Sequence, residues 1–421
     1  MQPFLISLVT VICFASSFCS PASAQDWWTR AAEYRTKYYN FKTDLPKDQA
    51  ADIANHMDRT FECYANLFSG LKLARPARLD VYVFFNKEDY MAVLREKFNN
   101  DGTGSAGKCI TRGNVISLVA WKTSRDSNRS LKRTLQHEGF HQFASNLFPN
   151  LPTWANEGLA EVFERGVLVD GKVVLGEVSR TDIRRLTSAM KEGRFRSINQ
   201  ILSVEQSEWN QQVVSGSAGE NYLQAWNICH CFLYAEDSKY QKQFMNFLKG
   251  INQGMEWKAS FVNAFGVPDF DSMNEVWFRY VESASPMDYR ETIERMQFLA
   301  MGYMKLRESE IYPLTMEELQ AELTKAEFEY ETELFGEPKK LLASDEQNFT
   351  VPFEEAWLGD PGFEFIDSKG KKPTKPKDSK KLSKSKPYGI KTSGLSPTNF
   401  FVMWKKDRKS PSGYRPVFSF R

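Results

Sequence analysis

The sequence predicts an α+β fold, with a small sheet in its first third and a long helical region after it. Three observations predict it. Short runs rich in β-branched and aromatic residues, Leu79–Phe85 and Val115–Ala120 above all, lie early in the chain. From Ser130 onward apolar residues recur mostly at spacings of three and four. Clusters of glycine, proline and asparagine separate the elements. With 421 residues, 42% of them hydrophobic, the chain can bury a sizeable core and is not of the disordered class.

The first element is an apolar run, Phe4–Phe18, that ends in Pro21-Ala22-Ser23-Ala24. Small residues at Ala22 and Ala24 suit a signal peptidase, so residues 1–24 are expected to be a signal peptide, cleaved before Gln25. A retained anchor is the alternative, but the run is short and broken by Ser16, Ser17 and Ser20. No later stretch is apolar enough to span a membrane. Export to the periplasm, cell surface or medium is therefore expected. Trp27–Phe41 reads as helical and then extended. Asp48–Leu71 is a helix by its spacing of Ile53, Met57, Phe61 and Tyr64. The strand Leu79–Phe85, a helix Lys87–Phe98 and a glycine-rich loop 99–108 follow. A hairpin turns at Arg112-Gly113-Asn114, and a polar stretch leads to a helix at Ser130–Leu147.

Pro149 and Pro152 end that helix, and a second runs from Thr153 to Phe163. Val167–Leu175 is a hairpin about Asp170-Gly171. Helices are expected near 180–192, 221–237, 240–252, 256–265 and 271–283, then at Asp288–Arg307 and Thr315–Leu334. After Gly336 the pattern decays into loop. In domain terms, 25–285 is one region (sheet part 36–125, helices 130–163, helical subdomain 179–285), 286–358 a helical extension, and 359–421 a Lys/Ser/Pro linker with a short terminal hairpin of Asn399–Lys405 and Tyr414–Phe420.

Charge is uneven. The segment 368–387 holds nine lysines against Asp378 alone; the rest of the chain has 46 basic and 52 acidic residues. This basic segment is either a solvated linker or a contact for polyanions, and without interleaved aromatics it is no specific nucleic-acid surface. Once the signal has left, Cys63, Cys109, Cys229 and Cys231 remain. A Cys63–Cys109 bridge and four free thiols are both open.

Chemistry concentrates in His137-Glu138-Gly139-Phe140-His141. Four residues apart on a helix, both imidazoles reach one metal ion. Glu138 can then take a proton from a water at the open position. The next helix, Trp154-Ala155-Asn156-Glu157-Gly158-Leu159-Ala160-Glu161, offers two carboxylates on one face. Zinc at a catalytic site takes three protein ligands, and two His with one Glu meet that need. The second carboxylate is left to orient a histidine ring.

H-E-x-x-H followed by W-x-x-E-G-x-A-x-x-x-E resembles the gluzincins of the peptidase MA clan, whose thermolysin-like and aminopeptidase N-like members share an Asn-Glu-Gly/Ala signature. The sequence most resembles bacterial exported proteins of a domain family of unknown function with a peptidase-MA-like core. The likeness covers roughly residues 36–285. It implies a zincin-like core, one zinc ion per chain, His137, His141 and Glu157 as ligands, Glu138 as general base, and Glu161 as the acid that steadies a ligand ring. One departure concerns spacing: Glu157 lies 16 residues after His141 and Glu161 lies 20 after it, so by distance alone Glu161 competes. Local sequence favours Glu157, because a connecting loop can shorten while a helix face cannot shift.

Other candidates are weaker. Tyr222, after a Ser/Gly loop, is either a donor to a tetrahedral oxyanion or a core tyrosine. Val115–Ala120 is either an ordinary strand or an edge that pairs with an extended peptide. His230, between Cys229 and Cys231, is more simply a packed histidine than a ligand. The expected activity is zinc-dependent cleavage of peptide or other amide bonds. The alternative is a peptidase-like scaffold, zinc-bearing or silent, that binds an envelope partner.

Overall fold

The structure is a computed structural model, and it describes residues 24–72, 78–102, 105–113, 115–122, 128–284, 286–335, 338–352, 361–373, 386–395, 397–410 and 412–421. The expected signal segment up to Ser23 and the centre of the lysine-rich segment lie outside these residues. The fold is α+β. A short helix α1 (Ala24–Arg30) and strands β1 (Ala32–Arg35) and β2 (Tyr39–Thr43) lead into α2 (Lys47–Leu67). Then come β3 (Leu79–Phe84), α3 (Lys87–Phe98), β4 (Gly107–Arg112) and β5 (Val115–Trp121). Local chemistry sets these bounds well: Asn86 caps α3 by accepting from the Asp89 amide at 2.9 Å, and Asn99 closes it in the left-handed region.

The five strands form one sheet in the order β1-β2-β3-β5-β4. β2, β3 and β5 run parallel, with Phe41 opposite Val81 and Val81 opposite Leu118. β4 is antiparallel to β5 and forms the edge. Sequence reading offered Val115–Ala120 as the edge strand; the structure puts it inside the sheet, because β5 pairs with β3 and the hairpin turns β4 outward.

One face of the sheet carries α2 and α4 (Asn128–Ala144), and α5 (Thr153–Glu164) packs on α4. The hairpin β6 (Val167–Val169) and β7 (Lys172–Val174) comes next, followed by α6 (Arg180–Lys191), α7 (Ile198–Leu202), α8 (Gln206–Ser215) and α9 (Gly219–Ser238). Sequence reading did not resolve α7 and α8. The helical region closes with α10 (Gln241–Asn252), α11 (Trp257–Phe265) and α12 (Asn274–Glu282). One continuous core joins the sheet to these helices and is dense in aromatics, Trp154 stacking on Phe247 and Phe195 on Trp277.

The C-terminal part departs most from expectation. After α13 (Tyr289–Glu308), the helix α14 (Met316–Lys325) stops well short of Leu334. Phe328, Tyr330, Thr332 and Leu334 alternate with glutamates, which is strand periodicity, and β8 (Glu329–Thr332) pairs there with β9 (Lys339–Leu342). Beyond it β10 (Gly362–Ile366), β11 (Gly389–Ser393), β12 (Phe400–Lys406) and β13 (Tyr414–Phe420) form a four-stranded sheet in chain order. The terminal hairpin is thus half of a larger sheet, and the lysine-rich segment is an excursion between the neighbours β10 and β11. This sheet is not loosely attached, since Phe365, Ile390, Phe400 and Val402 share a second core with α13 and with Val167, Val169 and Val174 of the β6–β7 hairpin.

Candidate metal centre

Two buried glutamines set the rotation of α4. Gln142 Nε2 donates to the carbonyls of Asp80 and Ile116, at 2.9 and 2.8 Å, fastening the helix to β3 and β5. Gln136 Nε2 donates to the carbonyls of Phe163, in the last turn of α5, and Gly166, just beyond it, and His56 on α2 lies 3.0 Å from its Oε1. Tyr64 donates to the Gln136 carbonyl. With positions 136 and 142 locked inside, positions 137, 138 and 141 turn toward the crevice between α4 and α5. Across that crevice α5 lies hard on α9. A Cβ on Gly158 would meet the Ala225 carbonyl at 2.4 Å and Cys229 Sγ at 2.7 Å, so only glycine permits this approach. Glu157, beside it, faces α4.

The structure brings His137, His141 and Glu157 together. Glu157 Oε2 lies 3.5 Å from His137 Nε2 and 3.4 Å from His141 Nε2, and one ligand atom from each residue falls within 4.8 Å of the others. Ligands bound to zinc tetrahedrally at about 2.0–2.1 Å stand about 3.4 Å apart, so this donor set fits that ion. Both rings also present the right nitrogen. His137 Nδ1 is hydrogen bonded to Glu164 at 3.1 Å and His141 Nδ1 to Asn156 Oδ1 at 3.1 Å, which leaves both Nε2 atoms toward the cluster.

Glu161, expected to steady a ligand ring, sits 3.7 Å from His137 Nδ1 but gives its other oxygen to Arg165. Arg165 is in turn held by Asp182 at 3.2 Å and lies over the Trp226 ring. The hydrogen bond to His137 comes from Glu164, seven residues beyond Glu157 and so on the same helix face. Sequence reading missed both Glu164 and Asn156. The signal for each was positional: Asn156 adjoins the candidate ligand, and Glu164 lies two turns past it.

Electrostatics follow from this crowding. Burial opposes charge on His137, but Glu157, Glu164, Glu138 and Glu161 outweigh it and raise its pKa well above the usual value. His141 shifts the same way, against its own burial, chiefly through Glu157. Burial would raise the Glu157 carboxyl; His141 and His137 hold it well below the usual carboxylate range. Glu164, likewise buried, is pulled down to about 2 by His137, Arg133 and Arg165. Protons would therefore compete with any metal cation for this anionic pocket.

Glu138 flanks the cluster on the side of the sheet edge. A Cβ on Gly107 of β4 would lie 3.1 Å from Glu138 Cγ, so the bare backbone of the edge strand passes close against this side chain. Tyr222, on α9, closes another side with its ring centre 6.3 Å from that of His137, braced by Trp209. Burial and Glu157 push its hydroxyl up, so it stays protonated near neutrality.

His230 and His56 lie away from the cluster. His230 is enclosed by Trp226, Tyr234 and Tyr280 and bonded to the Tyr280 hydroxyl. Cys63, Cys109, Cys229 and Cys231 are all free thiols, so no Cys63–Cys109 bridge forms.

Residues 132–253 match the family described as protein of unknown function, DUF1570. That span begins within α4, ends just after α10, and contains every residue of the cluster together with Glu138 and Tyr222. No curated protein matches the chain. The family description carries no activity.

Proposed function

We propose that the chain is an exported zinc metallohydrolase that cleaves peptide bonds, with one zinc ion held by His137, His141 and Glu157. The observation that carries this reading is the 3.4–3.5 Å spacing of two Nε2 atoms about one carboxylate oxygen, with both Nδ1 atoms already engaged. Export rests on the apolar segment that ends at Ala22-Ser23-Ala24. Among the described residues no helix is long and apolar enough to cross a membrane.

When bound, zinc would polarise the scissile carbonyl and lower the pKa of the attacking water. The protein's own groups do the rest. Glu138 accepts the water proton and passes it to the leaving amine. Glu164 and Asn156 keep the imidazoles oriented, and the Tyr222 hydroxyl donates to the developing oxyanion. The outer edge of β4, free of any strand partner among the described residues, lets an extended peptide add beside Glu138 through main-chain hydrogen bonds.

Metal content of the mature chain tests this reading, measured in parallel on wild type, Glu157→Ala and Glu161→Ala. About one zinc per chain is expected in wild type, lost in Glu157→Ala and largely kept in Glu161→Ala. Hydrolysis is then assayed on unfolded protein and on cell-wall fragments, to separate peptide from other amide substrates. No zinc in any of the three after reconstitution would remove the catalytic reading and leave a binding scaffold.

A further inference from the structure

Behind His137, on the Nδ1 side of its ring, the structure has two cavities of about 540 and 530 Å³ that share a wall of Arg129, Arg133, Arg290 and Phe335. Each is the size of a small-molecule site. Three guanidinium groups on this shared wall are an unusual concentration of charge. Arg133 is paired, its Nη2 lying 2.9 Å from Glu164. Arg129 and Arg290 form no ion pair among the described residues, and Arg290 instead lies beside the Phe335 ring at 5.9 Å.

The carboxylates nearby do not cancel this charge. Glu177 accepts from the Tyr289 amide at 3.3 Å, and Asp288 caps α13 by accepting from the Glu291 amide at 2.8 Å. Other wall charges are committed in pairs, Lys132 to Asp52, Arg165 to Asp182 and Lys339 to Glu294. Two helices also begin here. Arg129 is in the first turn of α4, which has no acidic residue, and Arg290 is in the first turn of α13. The amino end of α4 adds positive potential to this space, whereas that of α13 is offset by its cap Asp288 and by Glu291. Burial disfavours charge on Arg290, and Arg129 and Arg133 add to that against the pull of Glu177, so its pKa is lowered.

We infer that this cavity binds a small multivalent oxyanion, a phosphate or a polycarboxylate, held between Arg129, Arg133 and Arg290. A planar guanidinium fork matches either anion with paired hydrogen bonds, and three of them converging suit more than one negative charge. The anion would add to the partial relief that Glu177 gives to the mutual repulsion of Arg129 and Arg290. This site uses none of the proposed metal ligands, so it stands or falls separately from the hydrolase reading.

The test uses the full mature chain stripped of metal. Thermal unfolding is followed against inorganic phosphate and, separately, citrate, with sodium chloride matching ionic strength throughout. A saturable rise in Tm of about 2–4 °C is expected with at least one anion. It should vanish in Arg129→Gln and in Arg290→Gln. Arg129 is exposed at the rim, so its variant keeps the test valid should Arg290→Gln fail to fold. A response to phosphate alone assigns the ligand as a phosphate, and one to citrate alone as a polycarboxylate. The absence of a saturable shift with either anion overturns the proposal, as does an equal shift in Arg129→Gln.

Discussion

His137 and His141 share the crevice between α4 and α5 with Glu138, Glu157, Glu161 and Glu164, whereas His56 and His230 lie in the interior beside an amide and a phenol. All four imidazoles are largely shielded from water. Burial pulls every one of them toward the neutral form, yet the two pairs move in opposite directions. Carboxylates carry His137 and His141 upward. With Gln136 and Tyr280 as side-chain hydrogen-bonding partners in place of carboxylates, burial takes His56 and His230 down to about 4. The histidine alone does not make a metal site; the ring of acids around it does.

The hardest test of the acid-ringed crevice is its chemistry. Replacing Glu138 with Gln should lower peptide hydrolysis about 10²–10⁴-fold while zinc content stays near one per chain. A Gln variant as active as wild type would break the comparison, because the crevice would then hold acids without using them.

The interior pair makes the next largest prediction. Groups whose folded pKa lies near 4 bind fewer protons than the unfolded chain between pH 4 and 6.5. Stability from His56 and His230 is therefore complete above pH 6.5 and lost as pH falls through that window, by about 3 kcal/mol per histidine at most. In the metal-free chain His137 and His141 act oppositely, since raised values favour the folded state at low pH. Denaturant unfolding at pH 7 and pH 4.5 separates the two: His56→Gln and His230→Gln should each flatten the loss on acidification. An unchanged slope in both would mean that these rings are not held neutral.

Gly158→Ala sharpens the link between packing and site. The added methyl must push α5 off the Ala225 carbonyl, so a loss of about 1–3 kcal/mol in denaturant unfolding is expected, with weaker zinc binding. The smallest predicted effect concerns the ring of acids itself. Glu164→Gln should weaken zinc binding about 10–100-fold, and Glu161→Gln less. The reverse order in zinc titrations would return the orienting role to Glu161.

Much of this was legible from local pattern. The i, i+4 spacing of His137 and His141, the proline break after their helix and the Asn-Glu-Gly run each carry a geometric meaning within one or two turns. The match of 132–253 to a domain family of unknown function agrees with the coarser part of the resemblance. Less legible was anything requiring two distant segments to meet. Gln136 reads as a neutral helix residue until Phe163 and Gly166 are beside it. β4 became the edge only once β5 had paired with β3. The Phe328–Leu334 alternation was present in the chain, yet it was overridden by the helical run before it.

The sequence by itself determined where α2 to α5 and the strands β3 and β5 form and which side chains can share a helix face, because those depend on neighbours a few bonds away. Tertiary structure alone decided which acid reaches His137, which strand is the edge, and that β10, β11, β12 and β13 form a sheet against α13. Each of these is a choice among chemically similar partners. Packing makes that choice, through the close approach at Gly158 and the second core formed with the β6–β7 hairpin.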